Sequence, residues 1–295
     1  MVETLAAGRV ARRMRARTRW QMLAPRVRRH KGLMVGLGIV LFLVAVALLR
    51  DTVAPESPIK IDITAALQGP NRAHLFGTDQ YGRDVFSRVV HGASISLTVG
   101  GIAVGISAIV GTTVGLVAGF YGGAVDAFMM RIVDVLLAFP GILLALGIVS
   151  VLGASLQNLM IAVGISGIPL YARLVRSTVL VARQQLYVEA ARAFGVPIRV
   201  ILVRHLLPNV VAPIIVAATL GMGTSILAAA GLSFVGLGSQ PPTPEWGRML
   251  TEGRDYLRDA WWISTFPGVG IMITVLGVNL LGDGLRDVLD PRLRV

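Results

Sequence analysis

Long stretches of the chain carry no charged side chain, and each is bounded by ionisable residues. An unpaired charge at the centre of a bilayer costs about 3 kcal/mol on insertion scales, so charge-free runs locate candidate membrane-spanning helices of about 20 residues. Five such runs occur, at residues 32–49, 92–125, 135–172, 206–244 and 260–282. The pattern predicts an all-α membrane protein.

The run at 135–172 is too long for a single crossing. Small and polar residues at 152–158 predict a turn that divides it into two helices. The run at 92–125 predicts one long helix that ends near residues 119–123, and the run at 206–244 predicts one helix followed by a tail rich in glycine and proline. We therefore expect six transmembrane helices.

The first run has two alternative interpretations. Ala45-Val46-Ala47 resembles a signal-peptide cleavage site, and the arginine pairs at 12–13 and 28–29 resemble a twin-arginine signal. The basic stretch that precedes the run is about 31 residues long, which exceeds the usual basic region of a signal peptide. A membrane-spanning helix at 33–49 is therefore the preferred interpretation.

Basic residues are distributed unevenly between the segments that join the predicted helices. Of the 28 Lys and Arg residues, 20 lie in four segments on one side: 1–32, 120–131, 171–208 and 283–295. The other 8 lie in 50–92 and 238–262. Because cytoplasmic loops are enriched in Lys and Arg, we expect both termini in the cytoplasm. The expected organisation is a basic cytoplasmic segment at 1–32, a first helix at 33–49, an extracytoplasmic segment at 50–92, a five-helix core at 93–285 with a cytoplasmic loop at 183–208, and a cytoplasmic tail at 286–295.

Composition agrees with a membrane protein and argues against nucleic-acid binding. Hydrophobic residues make up 54% of the chain and charged residues 15%, against roughly 25% charged in a soluble domain. The net charge of +12 would suit a nucleic-acid-binding protein. However, ten basic residues precede residue 32, and the apolar remainder has too few cations to form a basic face. The charge is better explained as a topology signal.

Groups that could carry chemistry are sparse. The chain has no cysteine, which excludes disulfides, thiolate metal sites and cysteine nucleophiles. Its two lysines, Lys31 and Lys60, do not follow glycine, so there is no Walker A site for ATP. The four histidines form no metal-ligand pattern, and no GxSxG motif is present. We expect no catalytic residue, metal or cofactor in this chain.

Glycines in the second predicted helix indicate close packing. Gly101 and Gly105 form one GxxxG motif, and Gly111, Gly115 and Gly119 form two more along the same helix. Small residues at this spacing make a flat stripe that another helix can approach closely. The partner helix would belong to this chain or to another subunit.

Two polar features lie within the predicted spans. Arg131 and Asp134 are three residues apart, so on a helix they share a face and are expected to pair near the membrane surface. A role in gating or in contacting a cytoplasmic partner is the alternative. Asn279 is a lone polar group in the sixth helix, for which we expect a hydrogen bond between helices, with lining of a pathway as the alternative.

The cytoplasmic loop between the fourth and fifth helices has a distinctive composition. Helix-forming residues fill 183–194, Gly195 suits the left-handed position that ends a helix, and Pro197 fits the first turn of the next. Two short helices meeting at a glycine elbow are therefore predicted. Such an amphipathic segment could lie on lipid headgroups or bind a partner. Its predicted apolar stripe comprises Leu186, Ala190, Ala193 and Phe194.

The residues of this loop favour binding to a partner protein over lying on lipid headgroups. Glu189-Ala190-Ala191, then Gly195 and Leu207-Pro208-Asn209, resembles the EAA loop of permease subunits in binding-protein-dependent ABC importers. Other stretches resemble the peptide/nickel branch of that family, most of all its C-type permeases of dipeptide and glutathione systems. These stretches are residues 74–84, 231–238, 240–247, 281–287 and 290–291.

The resemblance implies a type I ABC importer permease fold in the cytoplasmic membrane of a bacterium or archaeon. It also implies a set of partners in the lipid bilayer: a second, B-type permease, two ATPase domains that hold ATP and Mg²⁺, and an extracytoplasmic peptide-binding protein. The substrates would be di- or oligopeptides, or glutathione, with a nickel chelate as an alternative. The residues that would couple to the ATPase are Glu189, Ala190, Ala191, Gly195 and Pro208.

The extracytoplasmic segments at 50–92 and 238–262 are candidates for contacting the binding protein. Asp79, Arg83 and Asp84 could form a charge network, with turns predicted at Gly77 and Gly82. Glu245 and Trp246 follow a proline-rich turn. We expect these five residues to contact the binding protein, with a structural role as the alternative.

A secondary transporter or channel is the competing function of a different class. A secondary carrier generally needs groups that bind a coupling ion, or an internal repeat. Neither is evident in this single set of six predicted helices. The sequence therefore favours an importer subunit that depends on another protein for energy.

Overall fold

The computed structural model describes residues 30–289, which are almost entirely helical. The predicted basic segment at 1–32 and the tail at 286–295 thus fall largely outside the described residues. Single helical turns occur at Arg50–Val53, Ile63–Ala65 and Arg254–Tyr256. The longer helices are α1 (Lys31–Leu48), α2 (Val85–Tyr121), α3 (Gly123–Leu137), α4 (Gly141–Leu152), α5 (Leu156–Ala182), α6 (Leu186–Ala193), α7 (Ile198–Phe234), α8 (Trp246–Gly253) and α9 (Trp262–Leu289).

The number of spans agrees with the sequence. Helices α1, α2, α5, α7 and α9 are each long and apolar enough to cross a membrane. Helices α3 and α4 qualify together, although they are bent by 88° where they meet. The described residues therefore provide six spans when the bent pair is taken as one, and the all-α membrane class is confirmed.

The third span differs from the sequence prediction of one uninterrupted helix from residue 135 to the turn at 152–158. Helix α3 ends at Leu137, and α4 begins after Pro140. Proline lacks an N–H group and disfavours a helical conformation in the residue before it, so the helix breaks here. The 12 residues of α4 span only about 18 Å, which leaves α3 to complete the crossing.

The helices form two layers. Helices α4, α5, α7 and α9 are neighbours in that order, and α2 packs behind α5 and α7 while α1 packs against α9 and α2. One side of the α4–α5–α7–α9 row is therefore covered by α1 and α2. The other side is left largely exposed by the described residues, and we call it the open face. It is marked by the exposed side chains of Leu170, Leu227 and Leu276.

The predicted glycine stripe is only partly used within the chain. Gly111, Gly115 and Gly119 lie directly against α5, and a Cβ atom at Gly115 would lie 2.5 Å from a backbone oxygen of that helix. The prediction of close packing is confirmed for these three. A Cβ at Gly101 or Gly105 would meet nothing within 4 Å in the described part of the chain, so contact there with another subunit stays a prediction.

The expected pair between Arg131 and Asp134 is wrong. Asp134 of α3 instead accepts a hydrogen bond from Arg173 of α5 at 2.7 Å. A second bridge joins the same helices, since Arg176 donates to both oxygens of Asp126 at 2.6 Å. Because α5 runs beside α3, guanidinium groups reach the carboxylates across the helix pair rather than along one helix.

Candidate coupling loop and outer cap

The glycine elbow predicted in the cytoplasmic loop is present. Helix α6 ends before Gly195, whose φ of +67° lies in the left-handed region that glycine adopts without strain. The Gly195 N–H donates to the Arg192 carbonyl and the Val196 N–H to the Ala191 carbonyl, both at 3.0 Å. This pair of bonds is the Schellman motif, which satisfies the last carbonyls of a helix. Helix α7 then begins directly after Pro197.

The loop is fixed to the membrane helices by one face of α6. Val188 and Ala191 are buried, and the Arg192 guanidinium lies 4.6 Å from the ring centroid of Phe120 in α2. The Asn209 amide in α7 donates a hydrogen bond to the hydroxyl of Tyr187 at 3.0 Å. Helix α6 is therefore clamped to the ends of three helices. The cluster around Val188 and Ala191 contains Phe120, Val175, Val179, Ile201, Leu206 and Val210.

The apolar stripe predicted for α6 faces outward rather than into the protein. Leu186 and Phe194 from the predicted apolar stripe are 81% and 87% exposed. Val188 and Ala191, three residues apart and so on one side of the helix, face the protein instead. The small side chain of Ala191 was expected to allow a partner to approach, but it permits close packing within this chain.

The outward side of α6 forms what we call the coupling surface, made of Leu186, Glu189, Ala190, Ala193 and Phe194, all exposed. Large apolar side chains exposed together on a polar loop are typical of protein interaction sites. The surface therefore has the character of a docking site, with one carboxylate among apolar groups. Docking on an ATPase stays a prediction.

The start of α7 is wound irregularly. Residues Ile201–Leu206 form a π-helix, and the exposed Pro208 follows two residues later. Proline cannot donate the hydrogen bond that a regular α-helix needs at its position. Short π-helical segments occur frequently at functional sites, and this one joins the loop to a span.

Residues 54–84 and 235–261 pack together, and a buried charge network joins them. We call this region the outer cap because the sequence predicts that it is extracytoplasmic. Arg83 donates from Nε to Asp79 at 2.6 Å and from Nη2 to Glu252 at 2.8 Å. Arg88 donates to Glu252 at 2.9 Å. All four side chains are at most 7% exposed. Buried charges need such partners, so the expected network is confirmed for Asp79 and Arg83.

Asp84 lies outside this network and caps α2. Its carboxylate accepts from the Ser87 N–H at 2.7 Å and contacts His74 Nδ1 at 3.1 Å. The neighbouring turns at Gly77 and Gly82 have φ values of +73° and +70°, as the sequence predicted. Asp84 therefore fixes the point at which the cap becomes a membrane helix.

Glu245 and Trp246 anchor the other half of the cap. The Glu245 carboxylate caps α8 by accepting from the N–H groups of Gly247 and Arg248 at 2.8 and 2.9 Å. Burial raises the pKa of Glu245, although these N–H donors act in the opposite direction. The Trp246 indole donates to the carbonyl of Val89 at 2.9 Å, which ties α8 to α2.

All five residues expected to contact the binding protein are buried, with exposures of 1–3%: Asp79, Arg83, Asp84, Glu245 and Trp246. Their side chains hold the cap from inside and do not form its surface. Contact between the cap and a binding protein stays a prediction, and it would involve other residues of the cap.

Sequence reasoning missed two members of the charge network, Arg88 and Glu252. They lie 164 positions apart, and no motif connects them. The one available signal was Arg88 itself, a charge just before a long apolar run, which needs a buried partner if the helix begins there.

Asn279 is half-buried beside Gly223 of α7. Its side chain makes no hydrogen bond to another residue within 30–289, so the structure does not show the expected bond between helices. A role for Asn279 in lining a pathway stays a prediction.

Within residues 30–289, no three His, Asp or Glu side chains come together in a way that could hold a metal ion. The buried carboxylates of the cap are engaged by guanidinium or backbone N–H groups. Their observed role is to form ion pairs and helix caps.

The chain matches known families over most of its length. Residues 111–295 match the family described as binding-protein-dependent transport system inner membrane component. Residues 18–70 match the N-terminal transmembrane domain of oligopeptide transport permease C.

Two relatives support this assignment, and one solved structure shares the fold. The chain is 47% identical to the dipeptide transport system permease protein DppC of Alkalihalophilus pseudofirmus, over 93% of this chain and 90% of the relative. It is 49% identical to the glutathione transport system permease protein GsiD of Escherichia coli O6:K15:H31, over 94% and 92%. An inward-facing structure of the MetNI methionine ABC transporter shares the fold, with a TM-score of 0.55 and 22% identity over 70% of this chain and 98% of the other. The chain therefore belongs to the family of inner membrane components of binding-protein-dependent transport systems.

Proposed function

We propose that this chain is a permease subunit of an ATP-driven importer for di- and oligopeptides, glutathione among them, and that it forms half of the translocation pathway. The names of the dipeptide and glutathione relatives support the substrate class. A second, B-type permease would supply the other half, and an extracytoplasmic binding protein would deliver the peptide. ATP and Mg²⁺ would bind to two partner ATPase domains, because this chain has no Walker A lysine.

The coupling surface carries this proposal. Leu186 and Phe194 present exposed apolar groups at the two ends of α6, with Glu189 between them, and the helix behind them is firmly packed. Such a surface fits an apolar groove with a basic rim on the ATPase. Closure of the two ATPases would displace α6 and rock the attached helices, as alternating access requires.

The proposal is tested in proteoliposomes that hold the complete transporter with both termini facing the ATPase side. We expect Leu186→Ser combined with Phe194→Ser to abolish ATPase stimulation by the peptide-loaded binding protein and to stop peptide uptake. Phe42→Ser is the matched control, because Phe42 is 64% exposed on α1 and belongs to neither the coupling surface nor the outer cap. Peptide uptake by this chain without an ATPase would contradict the proposal, as would stimulation that survives the double substitution.

A further inference from the structure

Helix α5 has one covered side and one uncovered side. The glycine stripe of α2 packs against its buried residues, which include Ala172, Val175 and Val179. On the opposite side, Leu170, Arg173, Ser177 and Val181 recur at helical spacing and are all exposed. This row belongs to the open face.

An ion pair lies on this face at membrane depth. The Arg173 and Asp134 side chains are 57% and 54% exposed although they are bonded to each other at 2.7 Å. Arg173 lies about 13 Å from the end of α5 at Ala182, and the whole helix spans about 40 Å against about 30 Å of hydrocarbon. A centred helix would place the pair about 8 Å inside the hydrocarbon region. Exposed charges at that depth face water or protein rather than lipid.

A cavity of about 430 Å³ opens between α5, α7 and α9, and α2 contributes no residue to it. Its lining is mostly apolar, including Leu174, Val216 and Leu220, with the Arg286 side chain at its edge. In α9, Asp283 and Arg286 are exposed, and the half-buried Asn279 lies one turn before Asp283 and two turns before Arg286. Another side of this helix packs on α1 through Gly277 and Gly284. The open face thus combines apolar volume with groups of both charges.

We propose that the open face is the wall of the water-filled passage, and that Arg173 and Asp134 contact the charged termini of a peptide in transit. A free peptide carries a carboxylate, which suits the guanidinium, and an ammonium group, which suits Asp134. The cavity lies in the volume range of small-molecule sites and can hold short apolar side chains. This inference rests on the proposed function.

Accessibility measurements test the water-filled wall directly, because the chain contains no cysteine. Leu170→Cys, Ser177→Cys and Leu276→Cys would be introduced singly into the complete transporter in inside-out vesicles. We expect an anionic, membrane-impermeant thiol reagent to modify them at least ten times faster than Phe42→Cys in α1 and Ile109→Cys in α2. Both control positions are exposed, at 64% and 71%, on the helices behind the open face.

Equal, slow modification at all five positions would overturn the inference, because the open face would then be packed dry against lipid or the second permease. Modification of Ser177→Cys by the anionic reagent is further expected to block peptide uptake. Modification by a small, neutral, methylating thiol reagent is expected to leave peptide uptake unchanged. Uptake by the transporter without an introduced cysteine is measured in the same vesicles. Its absence would contradict the proposed function, whereas normal uptake with an unreactive open face would contradict this inference alone.

The contact with peptide termini has its own test. Arg173→Gln combined with Asp134→Asn removes both charges together and leaves no orphaned ion. We expect uptake by the assembled complex to fall at least five-fold, with unchanged peptide affinity of the binding protein and unchanged labelling of Ser177→Cys. Unchanged uptake would show that the pair does not act on the peptide.

Discussion

Arg83 and Arg88 donate hydrogen bonds to the same oxygen, Oε2 of Glu252, at 2.8 and 2.9 Å. Asp79 approaches both guanidinium groups from another direction, at 2.6 and 3.6 Å. Two carboxylates therefore face three arginines, because Arg248 donates to the other oxygen of Glu252 at 3.4 Å. The network links a loop before α2 to α2 itself and to α8, so it fixes the geometry of the cap.

Removing the Glu252 charge is expected to destabilise the cap. Glu252→Gln leaves two buried guanidinium groups with one carboxylate, and breaking a buried ion pair typically costs about 3–5 kcal/mol. Denaturant unfolding of the purified complex in mixed micelles measures the free energy of unfolding. Glu56→Gln is the control, because its pair with Lys60 at 3.3 Å is largely exposed and is worth at most about 1 kcal/mol. Similar small losses in both variants would show that the network does not hold the cap.

Two glycines of α2 are expected to respond to alanine with opposite signs. A Cβ at Gly115 would press on the α5 backbone, so Gly115→Ala is expected to cost about 1–3 kcal/mol. Gly105 has free space around it, and alanine there is expected to stabilise the helix by up to about 1 kcal/mol. The thermal midpoints of the two variants provide the comparison. A loss of stability in Gly105→Ala would indicate that a second subunit packs closely at that position.

The elbow at Gly195 is expected to be needed for coupling. Gly195→Pro fixes φ near −65° and removes the N–H that bonds to Arg192, so it cannot keep the observed turn. We expect membrane insertion to persist while stimulation of ATPase by the loaded binding protein is lost.

Gly153 supplies the matched control for this elbow. It also has a positive φ, +91°, and its N–H bonds to Val149, but it joins α4 to α5 away from the coupling surface. Gly153→Pro should therefore disturb local folding without uncoupling the ATPase. Equal stimulation in the two proline variants would remove the special role assigned to Gly195.

Glu245 is expected to make stability depend on pH. Because burial raises its pKa above the ordinary value of 4.5, the folded protein binds this proton more tightly than the unfolded chain. The resulting stabilisation is complete below pH 4.5 and is lost as the pH rises through the folded pKa. Glu245→Gln cannot titrate, so its thermal midpoint relative to the unsubstituted protein should rise between pH 4.5 and pH 8. A difference that stays constant over this range would contradict the expected titration.

Features with a local physical cause could be predicted from the sequence. Absence of charge located the spans, and Gly195 followed by Pro197 predicted the elbow because each residue restricts or frees its own backbone. The turns at Gly77 and Gly82 have the same origin. In each case, the signal and its structural effect lie within a few residues of each other.

Features that depend on distant neighbours could not be predicted in this way. Arg131 lies on the same helix as Asp134 and was the expected partner. Because α5 runs beside this helix, Asp134 pairs with Arg173 instead. The inward side of α6 was likewise decided by Phe120 and the α5 surface, which select Val188 over Leu186. The sharp bend at Pro140 has a local cause, which is the proline itself. The prediction of this span used only the absence of charged residues, so it did not include the bend.

The clamp on α6 also determines where a mechanical load enters the membrane region. Val188 and Ala191 are embedded among side chains of α2, α5 and the start of α7, and among the described residues α9 contributes none to that cluster. A force on the exposed Phe194 would therefore act first on those three helices, whereas α9 and α1 would follow through their contacts with α7 and α2. The contacts of α9 and α1 with α7 and α2 are accordingly where strain would accumulate during each transport cycle.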